Sequence, residues 1–378
     1  ILTEEQEELL ALVRKFSEKE ILPYAHQMDV EAHFVPGLIQ KIADLGFMGI
    51  NVPEEYGGVG ADEVTKALVI MEFAKYDASV AELLAVHTLS SDIILKHGTP
   101  EQKEKYLTKA CTGAVGAFAL TEPNAGSDAA AAKTKAISQG DEYIINGSKC
   151  FISNMGQDEG DYVILIVLTD PEKKTKGMSA IIVDRDTPGF TVPKTEDKMG
   201  LRAAPVSELY FDECHVPKSQ LLGEEGKGFA IAMAGLDGGR IGMASQAVGL
   251  AESCIAESVE YSTQRVQFGK PVNANQGLQW YLADMATKTE AAKALTLNAA
   301  ALRQAGKNIT KEAAMAKYYA SETAVEVANK ALQIHGGYGY MKEYAIERQY
   351  RDARIIPIYE GTSEVQKMVI SRAVINGK

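Results

Sequence analysis

The sequence predicts an α+β protein in three successive parts: helical, then β, then a helical bundle. Three observations carry this. Apolar residues recur at helical spacing from Thr3 to about residue 110. Short β-branched and aromatic runs punctuated by proline then extend to about residue 217. After the Gly223–Gly228 loop, long helical stretches with short joints return, the pattern of a bundle. The domains expected are 1–114 (α-helical), 115–222 (β) and 223–378 (helical bundle).

In the first part, Thr3 and Gln6 have capping-box spacing. Leu9, Leu12, Val13 and Phe16 follow on one helical face, and Leu38, Ile39, Ile42 and Leu45 repeat the pattern before a Gly57–Gly60 loop. Further helices are predicted over 62–77, 79–97 and 101–110. In the middle part, strands are predicted at Tyr143–Ile145, Tyr162–Leu168, Ala180–Val183, Phe190–Val192 and Glu208–Phe211, with a strand-like run at Val115–Leu120. Pro171, Pro188, Pro193, Pro205 and Pro217 fall between or beside these runs. The last part predicts helices over 229–264, 275–304, 310–334 and 362–375. Leu278, Leu282, Met285, Ala292, Leu295 and Leu302 mark the apolar stripe of the second.

Composition narrows the function. The 378 residues are 46% hydrophobic and 24% charged, enough for a sizeable core. A formal charge of −12 excludes a broad nucleic-acid surface, because phosphate binding needs a basic face. Cys111, Cys150, Cys214 and Cys254 lie far apart, against a disulfide framework and in keeping with a reducing compartment. The longest apolar runs are far shorter than the ~18 residues of a membrane span. The first residues lack the basic head and apolar middle of a signal peptide. A cytoplasmic protein with no membrane span is therefore expected.

The common nucleotide and metal motifs fail. Gly226-Lys227-Gly228 lacks the Ser/Thr of a P-loop, and Gly58-Val59-Gly60 sits between helices rather than after a strand. The six histidines show no ligand spacing, so no metal is expected. Three constellations remain. Ala119–Asp128 packs small hydroxyl residues and a glycine directly after a strand-like run. Such a loop lets backbone N–H groups approach an anionic or heteroaromatic ligand, and an ordinary turn reads equally well. Gln333–Tyr340 carries more glycine than helix capping needs. Ile358–Thr362 holds a lone carboxylate, Glu360, beside Ile355, Ile356 and Pro357, where burial would raise its pKa and suit it as a base. A solvated loop glutamate is the plainer reading of the residues alone. Arg348, Arg351 and Arg354, with Glu343, Glu347 and Asp352, read as a salt-bridged surface, and His335 and Cys150 as packing residues.

Together these segments resemble the acyl-CoA dehydrogenase family of flavoproteins. The likeness rests on 119–131, on Gln333–Asp352 and on Tyr359-Glu360-Gly361-Thr362. It continues through Lys149–Asn154, Leu236–Arg240 and Gln264–Gly269, and is nearest to short-chain, butyryl-CoA-type enzymes and enoyl-CoA reductases of anaerobic bacteria. It implies FAD between the β domain and the bundle. Phe118, Leu120, Thr121, Phe151 and Ser153 would line the flavin ring, with Ser153 near its reactive nitrogen. Arg265, Gln267 and Phe268 from a neighbouring subunit, with Gln333 and Gly337, would grip the rest, and Gln276 and Thr362 would add contacts. Ser127, Asp237, Arg240, Tyr359 and Gly361 resemble substrate contacts, and Glu360 the catalytic base. Some family members carry the base at the position of Gly239, which leaves none there. The segment Leu83–Ser91, with His87 and Thr88, is expected to line the acyl pocket. The activity implied is α,β-dehydrogenation of a short-chain acyl-CoA, with electron-transferring flavoprotein as partner and a homotetramer as assembly. The alternative is the same chemistry run as an acryloyl-, crotonyl- or aryl-enoyl-CoA reductase, such as one for caffeyl-CoA.

Overall fold

The computed structural model describes residues 2–377. Its first part contains α1 (Glu4–Glu20), α2 (Ala25–Glu31), α3 (Leu38–Asp44), α4 (Glu63–Ala74), α5 (Ala78–His97) and α6 (Pro100–Cys111). Thr3 and Gln6 do form the capping box of α1, and Thr99 and Gln102 form a second on α6. The middle part contains β1 (Gly116–Ala119), β2 (Lys135–Gln139), β3 (Glu142–Ser153), β4 (Tyr162–Leu168), β5 (Met178–Asp184), β6 (Phe190–Thr191), β7 (Val206–Pro217) and β8 (Leu221–Leu222). The last part has α7 (Gly228–Gln264), a small hairpin of β9 (Val266–Gln267) and β10 (Lys270–Pro271), then α8 (Gln276–Gln304), α9 (Thr310–His335), α10 (Ala345–Ala353) and α11 (Ser363–Ile375).

The strands form one sheet in the order β6-β7-β3-β2-β4-β5-β8, with β1 parallel to β4. β4 coincides with its predicted run because every residue from Tyr162 to Val167 is buried, which a continuous apolar strand announces. β2 was not predicted. Only Ala136 of its five residues is buried, so it carries no alternation to read. β3 and β7 run well beyond their predicted cores, because polar residues at their ends still pair along the ladder.

Three cores hold the molecule. Side chains such as Phe73, Ile70 and Leu84 from the first part pack with Met243, Val248, Ala324 and Ile356 from the last, so the two helical parts share one core. A second cluster joins α5, α6 and the start of α7 to Tyr162, Ile164 and Ile166. A third lies on the other face of the sheet, around Val163, Leu165, Phe211 and Leu209. Each fully buried aliphatic or aromatic side chain contributes about 1.5–3 kcal/mol.

Helix α5 runs through the middle of this arrangement. Among the described residues it is the one helix long and apolar enough to cross a membrane, and it is 89% buried inside the protein. It is a core helix, and its burial explains its composition. Glycines of α7 let α5 approach closely: a Cβ on Gly242 would lie 3.1 Å from that of Ala85.

The arginine group of α10 is only partly a surface. Arg351 pairs with Asp29 at 2.7 Å and Glu347 at 2.8 Å, but Arg348 and Asp352 are buried. Asp352 Oδ1 accepts from the Leu201 amide at 2.6 Å and ties α10 to the β part. That burial of charge hid α10 from the apolar pattern.

Candidate active site

Glu360 lies in the turn that joins α10 to α11. Its φ is +54°, a left-handed conformation that a residue with a side chain adopts at a cost of order 1–3 kcal/mol. Gly361 follows at φ +91°. Two buried side chains clamp the turn. Lys317 on α9 donates to the Gly361 carbonyl at 2.7 Å, and Gln366 on α11 donates to the carbonyls of Glu360 and Gly361 at 3.2 and 2.9 Å. Thr362 caps α11 by accepting from the Val365 amide at 3.2 Å. The Glu360 amide N–H finds no acceptor among the described residues.

The residue keeps some open surface, yet its Oε2 is shut away from solvent and has no hydrogen-bond partner. Burial pushes the carboxyl up to about 7, against Arg240 and Lys317, whose charges pull it down. A Cβ at Gly239 would lie 2.8 Å from Glu360 Oε2, so α7 faces the carboxylate with bare backbone. Beside Gly239 is a narrow cavity of about 10 Å³, lined by Ala85, Thr88, Leu89 and Gly242 among others. His87 does not line it: its ring nitrogens are engaged by the Met48 carbonyl at 2.9 Å and the Gly116 amide at 3.2 Å.

Tyr359 is held by a short hydrogen bond from its hydroxyl to Gln246 Oε1, and burial raises its pKa well above the ordinary value, with help from Glu82 and Glu360. Ser153, at the end of β3, donates to Glu82 Oε1 at 2.7 Å. On α7, Asp237, two residues before Gly239, bonds Arg240 at 2.7 Å and Thr310 Oγ1 at 2.7 Å.

The loop after β1 is pinned by a buried ion pair. Lys149 is fully buried and donates to Glu122 Oε1 at 2.8 Å and to the Leu120 carbonyl at 3.0 Å. The backbone amides of Lys133 and Thr134 also donate to Glu122, at 2.6 and 3.0 Å. Burial works to raise the Glu122 carboxyl, but Lys149 and these amides outweigh it and hold it below its usual value. Removing one partner of such a pair costs about 3–5 kcal/mol. The Cys150 amide donates to the Thr121 carbonyl at 2.9 Å, so this loop is sewn to β3. There the β3–β7 register slips between Lys149 and Ile152. The bulge turns Phe151 outward, at φ +57° and 73% exposed. Phe118 is half-buried and Leu120 buried, whereas Ser127 is exposed.

The other predicted residues form a separate group at the far end of α7. That helix has 37 residues and so spans roughly 55 Å. Arg240 is in its first half and Arg265 is its C-cap. Arg265 lies at 5.3 Å over the ring of Tyr338, next in sequence to exposed Gly337, and Gln333, near the end of α9, is exposed. Gln267 and Gln276 are exposed, and Phe268 is 99% exposed at φ +53°. Within one chain this group and Glu360 cannot meet.

Comparison with known proteins bears on this geometry. Residues 3–114, 117–214 and 226–375 match the N-terminal, middle and C-terminal domains of acyl-CoA dehydrogenase. The chain belongs to the acyl-CoA dehydrogenase family. It is 53% identical over 377 residues to an acryloyl-CoA reductase (NADH) of Anaerotignum propionicum, covering 99% of this chain and 95% of that protein. The butyryl-CoA dehydrogenase of Megasphaera elsdenii superposes with a TM-score of 0.96 at 46% identity, over 99% of both chains. So does a chain described as "Electron transferring flavoprotein of Acidaminococcus fermentans: Towards a mechanism of flavin-based electron bifurcation", with a TM-score of 0.97, 46% identity and 99% of both chains. Acyl-CoA dehydrogenases are flavoproteins, oxidoreductases that act on the CH–CH group, and this chain is one of that enzyme class.

The residues fit a flavin. The bulge presents an aromatic face in Phe151 beside the pinned loop, a cationic guanidinium stands by a glycine-rich turn, and Gly337 opens onto free space. Side chains that sequence reasoning did not single out are Glu82, Lys317, Gln366, Gln246 and Glu122. Lys317 had a signal: it is a lone charge on the alanine-rich face of Ala313, Ala316 and Ala320.

Proposed function

We propose that this acyl-CoA dehydrogenase family member carries FAD and removes hydrogen from the α and β carbons of a short-chain acyl-CoA. The observation that carries this reading is Glu360: a carboxyl with a free, buried oxygen and an affinity for protons near neutrality, facing bare helix backbone at Gly239. Such a group suits a general base at neutral pH. When bound, the flavin supplies the two-electron acceptor for the β-hydride.

The chain's own part is to bind, orient and take the α-proton. The unpaired Glu360 N–H is free to donate to the thioester carbonyl, and one donor of this kind is worth roughly 3–4 kcal/mol to a developing enolate. Phe118, Leu120, Thr121, Phe151 and Ser153 would line the flavin, with Thr362 beside it. Arg265, Gln267, Phe268, Gln276, Gln333 and Gly337 would reach its phosphate and adenosine end from another copy of the chain, because the length of α7 keeps them from the Glu360 site of their own. A homotetramer provides that neighbour. Ser127, Asp237, Arg240, Tyr359 and Gly361 would contact the acyl-CoA. Electron-transferring flavoprotein is the partner this reading implies, and the Acidaminococcus fermentans neighbour supports it.

An anaerobic visible spectrum before and after adding butyryl-CoA tests the reading. Bleaching of a flavin band is the expected result, and no flavin band even after adding FAD would defeat it. The likeness to an acryloyl-CoA reductase favours a second direction of the same chemistry. For that reading, dithionite-reduced protein should be reoxidised by acryloyl- or crotonyl-CoA. Arg265→Ala is expected to lower flavin retention through gel filtration. Unchanged retention would remove Arg265 from the cofactor site.

A further inference from the structure

Resting on the acyl-CoA reading above, we propose that the acyl pocket ends in a polar subsite at Glu82. There it selects acyl groups with a hydrogen-bond donor, a hydroxyl or an ammonium, on the carbon beyond the reacting pair.

Glu82 lies in the first half of α5 and is 1% exposed. Ala81, Leu83, Leu84 and Ala85 flank it and offer it no polar side chain. Oε1 accepts from Ser153, but Oε2 is closed off from solvent with no partner. A buried polar atom without a partner costs about 1–3 kcal/mol, more when charged, so its retention calls for an explanation. No cation among the described residues pairs with Oε2. Lys198 donates instead to the carbonyls of Arg202 and Ala204, at 3.5 and 2.8 Å. Burial raises the Glu82 carboxyl to about 7; Ser153 and Lys198 pull it down, and Glu360 pushes it further up.

Glu82 also shares its surroundings with the reaction site. Gln246, which holds the Tyr359 hydroxyl, donates to the Ala78 carbonyl at 2.8 Å, one turn before Glu82 on α5, and the hydrogen-bond partner of Glu82, Ser153, closes the bulged strand of the ring-binding segment. A short acyl chain that presents its α-carbon to Glu360 and its β-carbon toward the Ser153 side brings the next carbon to Glu82. A donor there would complete Oε2, whereas a methyl group would leave it orphaned. Sites built around a buried acceptor reject isosteres that lack the donor far more strongly than apolar pockets reject an added hydroxyl.

4-Hydroxybutyryl-CoA and pentanoyl-CoA place a hydroxyl and a methyl at the same position. Their Kd values can be read on flavin-loaded Glu360→Gln protein, and their kcat/KM on the unaltered enzyme. The hydroxyl substrate is expected to win by at least tenfold in both. Glu82→Leu should abolish or reverse the preference, while Glu82→Gln, the same size with an acceptor retained, should keep part of it. Equal values, or a preference for pentanoyl-CoA in the unaltered protein, overturn the subsite. Butyryl-CoA, run alongside, scores the proposed function separately. Butyryl-CoA turnover without hydroxyl preference leaves that function standing and removes the subsite. Hydroxyl-selective binding with no turnover of any of the three does the reverse.

Discussion

Glu360→Gln is expected to retain the flavin absorbance and to lose turnover of butyryl-CoA by about 10²–10⁴-fold, the range supplied by a positioned general base. The substitution is structurally mild. Gln has the same shape, and the oxygen it replaces has no hydrogen-bond partner to lose. Only the capacity to accept the α-proton disappears. The pH profile provides an independent check. With the carboxyl raised to about 7, the base is protonated and idle below that pH, so kcat/KM of the unaltered enzyme should fall about tenfold per pH unit on the acid side. Above pH 7 the base is ionised and the profile should level off. The residual rate of Glu360→Gln should show no such limb. Near-normal turnover in that variant would remove Glu360 from the base role.

Much of the fold could be read where burial and hydrophobicity coincide. Tyr162–Leu168 is apolar at every position, and β4 occupies those residues. The long helices α7, α8 and α9 could be read because 26 or more residues of periodic pattern leave little room for a strand. Elements whose burial is polar escaped. α10 buries Arg348, Gln349 and Asp352, and β2 buries almost nothing.

The site divides in the same way. The apolar surroundings of Glu360 and its place before a helix follow from Ile355, Ile356, Pro357 and Thr362. That Lys317 and Gln366 clamp its turn is a tertiary fact, because these side chains come from different helices. Glu82 sits alone in an apolar stretch, where a single acid reads as one solvated position on a helix. Only the tertiary structure, which brings the end of β3 to α5, shows that it meets Ser153 instead. The group at Arg265 was named by resemblance, and no local chemistry would have tied it to Glu360 across the length of α7.

Lys317→Met is the second large expected effect, about a hundredfold loss in kcat/KM at pH 7, the scale that a small misplacement of a reacting group produces. Lys317 is fully buried, and burial pushes its own pKa down to about 8. It touches no reacting atom in this reading, so it acts as a positioning residue through Gly361. Loss of its hydrogen bond takes one of two donors from the Gly361 carbonyl and leaves Gln366 as the sole side-chain donor to a turn in which Glu360 holds a positive φ. Loss of its charge removes one of the two cations that hold the Glu360 carboxyl down. The base then binds its proton more tightly, and the acid limb of the pH profile should move to higher pH. Stability should be little changed or raised, because Met fills the space of the Lys stem and a buried cation costs desolvation. A merely structural lysine would show the opposite pattern: a lowered melting temperature, with the acid limb unmoved and kcat/KM near that of the unaltered enzyme.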